Sequence, residues 1–295
     1  MPTRTIALLI AAVAAVSWSG PLVRLAGEAP PLMIAFWRTA LATAVLAPLA
    51  LARHRQEISK LTRRDLIQMV AAGAFLALHF ATWIASINLT TIASSVLLVS
   101  STPLFVAAAS AAIGERLPRA GWVGMAVAVG GVVLVAGADL AEIATAGRGN
   151  LLALAGAVTG AGYLFMGRQV RRRRSLLVYA SGVYGICCLA VLAGASLTGT
   201  DLVGYPVETW LIVAAIGVGP QLIGHTAFNF LLQEVEASRV TAAILGEPLG
   251  SALIAVALFG EVPSWWVLPG AVLLLGGVGV VLRSGGRTAE PAPAG

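Results

Sequence analysis

The chain has 295 residues, of which 58% are apolar and only 11% charged, and its mean hydropathy is +0.90. Ordinary soluble domains hold about 45–50% apolar and about 25% charged residues, so there is too little polar surface here for a soluble enzyme, a disordered chain or a disulfide scaffold. A net charge of +6 would point to nucleic acid in a soluble protein. In a membrane chain it belongs to the cytoplasmic loops, and runs such as Arg171 to Arg174 read as topology signals beside anionic lipid, with no nucleic acid involved.

Ten apolar runs fall at 5–23, 31–52, 66–87, 93–113, 120–137, 150–169, 176–197, 208–231, 238–259 and 264–282. Each comes near the ~20 residues that a spanning helix needs. The runs are continuously apolar rather than alternating, which excludes a membrane barrel and predicts an all-α membrane protein of ten transmembrane helices. The first run, with Arg4 before it, looks like a signal sequence. It is expected to stay uncleaved, because Ser17-Trp18-Ser19-Gly20-Pro21 follows in place of a mature soluble domain. Cys187 and Cys188 are adjacent in an apolar run and read as small packing residues.

With the N-terminus cytoplasmic, 16 Lys and Arg residues fall on inner segments and two, Arg24 and Arg148, on outer loops. That asymmetry fixes the expected orientation, a multi-pass protein with both termini cytoplasmic. Residues 1–295 form a single integral membrane domain on this reading, and 284–295 a disordered cytoplasmic tail. The sequence also repeats. At a shift of 146, Gly73 meets Gly219, His79 meets His225, Gly114-Glu115 meets Gly260-Glu261, and Gly130-Gly131 meets Gly276-Gly277. Pro103 meets Pro248 at a shift of 145. Each repeat, 5–137 and 150–283, holds an odd number of spans, so the second crosses the membrane in the opposite sense. Inverted five-helix repeats of this kind mark secondary transporters, whose sites lie near the midplane between the repeats.

This arrangement resembles the EamA type of the drug/metabolite transporter superfamily. The likeness rests on Trp18-Ser19-Gly20-Pro21, on Arg38-x-x-x-Ala42, and on Pro103-Leu104 ahead of Gly114-Glu115-Arg116-Leu117. Glu247-Pro248-Leu249, Gly260-Glu261 and Gly276-Gly277-Val278 repeat the pattern in the second half. That half lacks an equivalent of residues 18–21; Tyr163-Leu164-Phe165 stands there. Within the superfamily the chain is most similar to bacterial exporters of aromatic amino acids and methionine. The resemblance implies a small-molecule substrate and a place in the bacterial inner membrane; the alternatives are a drug, sugar or nucleotide-sugar carrier of the same superfamily, or an intramembrane enzyme.

The chemistry-bearing residues agree with transport. The only lysine, Lys60, is followed by leucine, so there is no P-loop. No H-E-x-x-H joins His54, His79 and His225, and Asp65, Asp139 and Asp201 all fall in predicted loops. Gly194-Ala195-Ser196 fits only a weak serine-protease pattern near a span end. No enzyme, no metal and no cofactor is expected. In the third span Phe75, His79, Thr82, Trp83 and Ser86 share one helical face, and in the eighth Gln221, His225 and Asn229 follow at intervals of four. Polar stripes in lipid-buried helices face the protein interior or a water-filled cavity. Trp18, Trp37, Trp83, Tyr163 and Phe228 offer stacking surfaces, whereas Trp210, Trp265 and Trp266 read as interfacial anchors. Two charges lie within spans. Arg38 is a candidate clasp for a substrate carboxylate. Glu247, just before Pro248, is a candidate for a substrate ammonium, a coupling proton or a pair with Arg38. The expected substrate-binding set is therefore Trp18, Arg38, His79, Trp83, Tyr163, His225, Asn229 and Glu247.

Overall fold

The computed structural model describes residues 3–112, 118–138, 143–234 and 246–285, and every regular element among them is a helix. Helices α1 (Thr3–Ser17) and α2 (Ser19–Leu25) form the first crossing, and α3 (Pro31–Ile58) and α4 (Arg63–Ile87) the next two. The fourth crossing is split into α5 (Ile92–Val99) and α6 (Thr102–Ala112), followed by α7 (Arg119–Ala138), α8 (Ile143–Arg171) and α9 (Leu176–Thr198). The eighth joins α10 (Val207–Ile216), a π-helical segment (Gly217–His225) and α11 (Thr226–Glu234); α12 (Glu247–Phe259) and α13 (Val267–Gly285) come last. Among the described residues eight helices are long and apolar enough to cross a membrane, and two shorter apolar ones accompany them. Large apolar side chains such as Leu151, Leu189, Leu253 and Val272 point outward, fully two-thirds exposed. On helices long and apolar enough to cross a membrane, such outward residues face lipid. Helix α13 runs on to Gly285, so the first two residues of the expected tail are helical, while 286–295 lie outside the described residues.

Local chemistry sets where the helices start and stop. Thr62 and Asp65 make a reciprocal capping box at the start of α4, while Ser175 and Thr91 cap α9 and α5. Gly199 and Gly260 end α9 and α12 in the left-handed region, at φ 66° and 63°, where a side chain would be strained. Pro103 sits in the first turn of α6 after the break at Ser100 and Ser101, and Pro248 in the first turn of α12. Proline has no N–H to give and is tolerated there.

The packing has an internal two-fold relation. Helix α4 lies along α8, and its repeat-mate, the π segment, lies along α1; α8 packs on α5 and α6 as α1 packs on α12. The second and seventh crossings, α3 and α9, pair with each other, as do the fifth and tenth, α7 and α13. The last pair shows the opposed sense of the repeats directly. A Cβ on Gly131 would come within 2.7 Å of the Gly270 carbonyl, and one on Gly270 within 3.2 Å of the Gly131 carbonyl. Gly124 faces Gly277 in the same reciprocal way. Equivalent glycines therefore meet crosswise, Gly124 with the mate of Gly131, which only antiparallel helices permit. Small residues let these backbones touch and gain dispersion contact in a medium without a hydrophobic drive.

Both ends of the bundle are tied. At the basic end the Arg174 guanidinium donates to Asp65 Oδ2 (Nε, 3.0 Å) and to the Lys60 carbonyl (2.7 Å), Arg173 pairs with Asp65 Oδ1 at 3.0 Å, and the Ser175 amide donates to Glu57. At the opposite end the Gly260 turn carries Glu261 back over the bundle. One carboxylate oxygen accepts from the Ile92 amide at the start of α5, the other from Arg24 Nη1 at 3.3 Å. Arg24 also donates to the Ile87 and Thr90 carbonyls. The Gly-Glu pair is thus a helix stop followed by a clasp across the repeats. Its counterpart Gly114-Glu115 lies outside the described residues.

Candidate functional site: a cavity between the repeats

A helix break and a helix start meet at the centre. The break between α5 and α6 brings Ser100, Thr102 and Pro103 to it, and the start of α12 brings Glu247. Helix α4 contributes Leu76, His79 and Trp83, and α8 contributes Gly160 and Tyr163. The second repeat adds His225, Phe228 and Asn229. The cavity, open on one side, has a volume of about 170 Å³. Most of its lining is aromatic or aliphatic, and Glu247 is the single carboxylate among the described lining residues.

The His79 wall is built by close helix contact. The bare backbone of Gly156 and Gly160 lets α8 press on α4; a Cβ on Gly160 would lie 2.9 Å from His79 Nδ1. His79 Nδ1 is 2.8 Å from the Gly156 carbonyl. A carbonyl only accepts, so Nδ1 carries a proton and donates it, which fixes the ring's orientation. One turn on, the Trp83 ring lies nearly parallel to that of His79, at 10° with centroids 6.2 Å apart. The opposite wall is steadied by Asn229, whose Nδ2 donates to the Tyr163 hydroxyl at 3.4 Å.

Of the eight residues expected at the site, the structure brings six to this cavity: His79, Trp83, Tyr163, His225, Asn229 and Glu247. Two are elsewhere. Trp18 stands at the junction of α1 and α2, where its neighbours Ser17 and Ser19 turn inward. Its own ring is 42% exposed in an outer groove with Ile10, Val13 and Leu253; Ser19 reaches the cavity in its place. Arg38 is wholly buried but stands behind Phe80, its Cζ 4.0 Å from the ring centroid, and does not line the cavity. Nor does it pair with Glu247; its Nε donates to Gln221 Oε1 at 3.0 Å. Gln221 itself leaves the expected stripe. The π turn carries more residues than an α turn, so Gln221 rotates off the face of His225 and Asn229 toward Arg38. Trp37 donates from Nε1 to the Leu202 carbonyl at 2.7 Å and packs edge-on against Trp210, so it anchors the 199–206 loop rather than a ligand.

Ser100 and Thr102 were absent from the expected set, although a Ser-Ser-Thr-Pro run inside an apolar span is a readable break. Phe80 was absent too, and an ordinary hydrophobe next to His79 gives no signal. Its ring meets His225 edge-on at 78° and lies between Arg38 and the cavity histidines.

Similarity to known proteins extends over nearly the whole chain. Residues 3–137 and 147–283 each match the EamA-like transporter family. An uncharacterized transporter of Archaeoglobus fulgidus is 24% identical over 218 residues, covering 73% of this chain and 76% of that protein. A solved crystal structure of a protein superposes with a TM-score of 0.68 over 98% of this chain and all of that one at 21% identity, which shows a shared fold. Two matches to one family, one for each half of a ten-crossing bundle with its cavity between the halves, identify the chain: it belongs to the EamA-like transporter family, a multi-pass membrane transporter of the drug/metabolite superfamily.

Proposed function

We propose that this transporter exports aromatic amino acids and methionine from the bacterial cytoplasm by alternating access, without covalent change to its cargo. The observation that carries the reading is the match of size and lining. A volume of about 170 Å³ is close to the ~150 Å³ cavity that holds a single benzene ring, the size of an aromatic side chain's ring. Trp83, Tyr163 and Phe228 supply faces for a ring or a thioether. Glu247 supplies one negative charge for the substrate ammonium, or the site of a coupling proton. The protein sits in the inner membrane with its basic end, residues 53–64 and 171–174, in the cytoplasm, and both termini are on that side.

A substrate panel in purified proteoliposomes, with and without imposed pH and voltage gradients, tests this. Labelled phenylalanine, tryptophan and methionine should exchange across the membrane and compete with one another. Exchange of sugars or nucleotide sugars, with none of these amino acids, would overturn the substrate assignment.

A further inference from the structure

Arg38 is a charge held in the membrane with most of its hydrogen-bonding capacity unused. It is fully buried, and neither Nη1 nor Nη2 has a hydrogen-bond partner among the described residues. Such a group is costly in a low-dielectric interior unless something completes it. Three contacts fix how it is presented. Nε is engaged by Gln221 of the π segment. The guanidinium plane is covered by the Phe80 ring at 4.0 Å, a favourable cation–π arrangement. That ring in turn borders His79 and His225, which line the cavity. With Nε taken, the free fork is the Nη1/Nη2 end, whose parallel N–H groups match the two oxygens of a carboxylate. Glu247, the one carboxyl side chain among the described lining residues, faces the same cavity from α12 and forms no salt bridge with Arg38. A guanidinium fork held behind Phe80 and a carboxyl group on the cavity wall are together the complement of a zwitterion.

The geometry points to Arg38 as the receptor for the substrate carboxylate in a state where Phe80 has swung off its guanidinium, making Phe80 the gate that admits carboxylated substrates. This deepens the amino acid reading above and rests on it. Phe80 covers the cation while the cavity is unloaded. The incoming carboxylate replaces the ring face with two charge-assisted hydrogen bonds, while the ammonium meets Glu247. Amines without the carboxylate leave Phe80 in place and gain nothing from Arg38, so Arg38 and Phe80 set specificity, and the aromatic walls set affinity for the side chain.

The test compares phenylalanine with 2-phenylethylamine, its decarboxylated analogue, in proteoliposome uptake, read as the ratio of their kcat/KM values. The wild type should favour phenylalanine by about tenfold or more, since a site built to bond a group rejects the analogue lacking it. Arg38→Gln should bring the ratio near one by slowing phenylalanine alone. Phe80→Trp, a larger lid, should narrow the ratio, and Phe80→Leu, a smaller one, should keep or widen it. If Arg38→Gln does not reach the membrane folded, Arg38→Lys, which keeps the charge and loses the fork, should lower the ratio in its place. Equal losses for both compounds in the Arg38 and Phe80 variants would overturn the proposal, leaving these residues merely structural and the aromatic amino acid reading intact. A wild type that moves both compounds equally would also overturn it. A wild type that moves neither would overturn the amino acid reading itself, and this proposal with it.

Discussion

Glu247 shows what one residue decides. It is the only carboxylate among the described residues of the cavity wall, and Pro248 fixes it at the first turn of α12. If it holds the substrate ammonium, Glu247→Gln removes a charge-assisted hydrogen bond worth about 1.5–3 kcal/mol. At 1.4 kcal/mol per tenfold, the KM for phenylalanine exchange should rise roughly ten- to hundredfold. The KM for 3-phenylpropionate, which has no ammonium, should stay within about twofold of wild type. An unchanged KM for phenylalanine would take Glu247 out of the binding site. If the variant also keeps full pH-gradient-driven transport, it carries no coupling proton. Trp265, exposed, tilted against Trp266 and absent from the cavity lining, is the matching control. Trp265→Ala should leave both values where they are.

At the scale of the element, glycine position distinguishes packing from chance. Gly131 faces the α13 backbone, whereas its neighbour Gly130 has open space around a would-be Cβ. Gly131→Val must drive α7 and α13 apart and should cost about 1–3 kcal/mol, seen as a lower Tm in detergent. Gly130→Val should shift the Tm little. Equal effects would mean that the crosswise glycine contact does not hold the helices together. The sequence allowed this element to be read in advance, because Gly130-Gly131 recurs as Gly276-Gly277 and polarity alone set the span limits. The eighth crossing was less legible. Gln221, His225 and Asn229 have α-helical spacing, but Pro220 and three glycines between 217 and 224 favour a wider turn, and only packing decides which carbonyls pair. Thr226 Oγ1 bonds the Gln221 carbonyl five residues back at 3.2 Å, which locks the wider turn in. Trp18 was expected at the site as a stacking surface, and the break between α1 and α2 turns it out instead. Arg38 was read as a charge within a span, and it lies buried in α3. Its separation from the cavity depends on Phe80, whose role has no sequence signature.

At the scale of the whole molecule, two inverted repeats are tied together at both ends of the bundle, with a cavity between them. Asp65 with Arg173 and Arg174 ties the basic end, and Glu261 with Arg24 and the α5 amide ties the other. The orientation follows from charge and can be checked chemically. In a Cys187→Ala/Cys188→Ala background, Lys60→Cys should resist an impermeant maleimide added outside right-side-out vesicles, and Val203→Cys should react. The reverse pattern would invert the protein and make the proposed export an import geometry. The central claim, that the chamber between the repeats carries aromatic amino acids against the Trp83 wall, is tested most directly by phenylalanine counterflow in proteoliposomes of wild type and Trp83→Ala. Loss of the indole removes apolar contact and stacking of about 1–3 kcal/mol, so the account predicts saturable wild-type exchange and a roughly five- to hundredfold rise in KM for folded Trp83→Ala. Identical exchange by the two proteins, or none by the wild type, would contradict it.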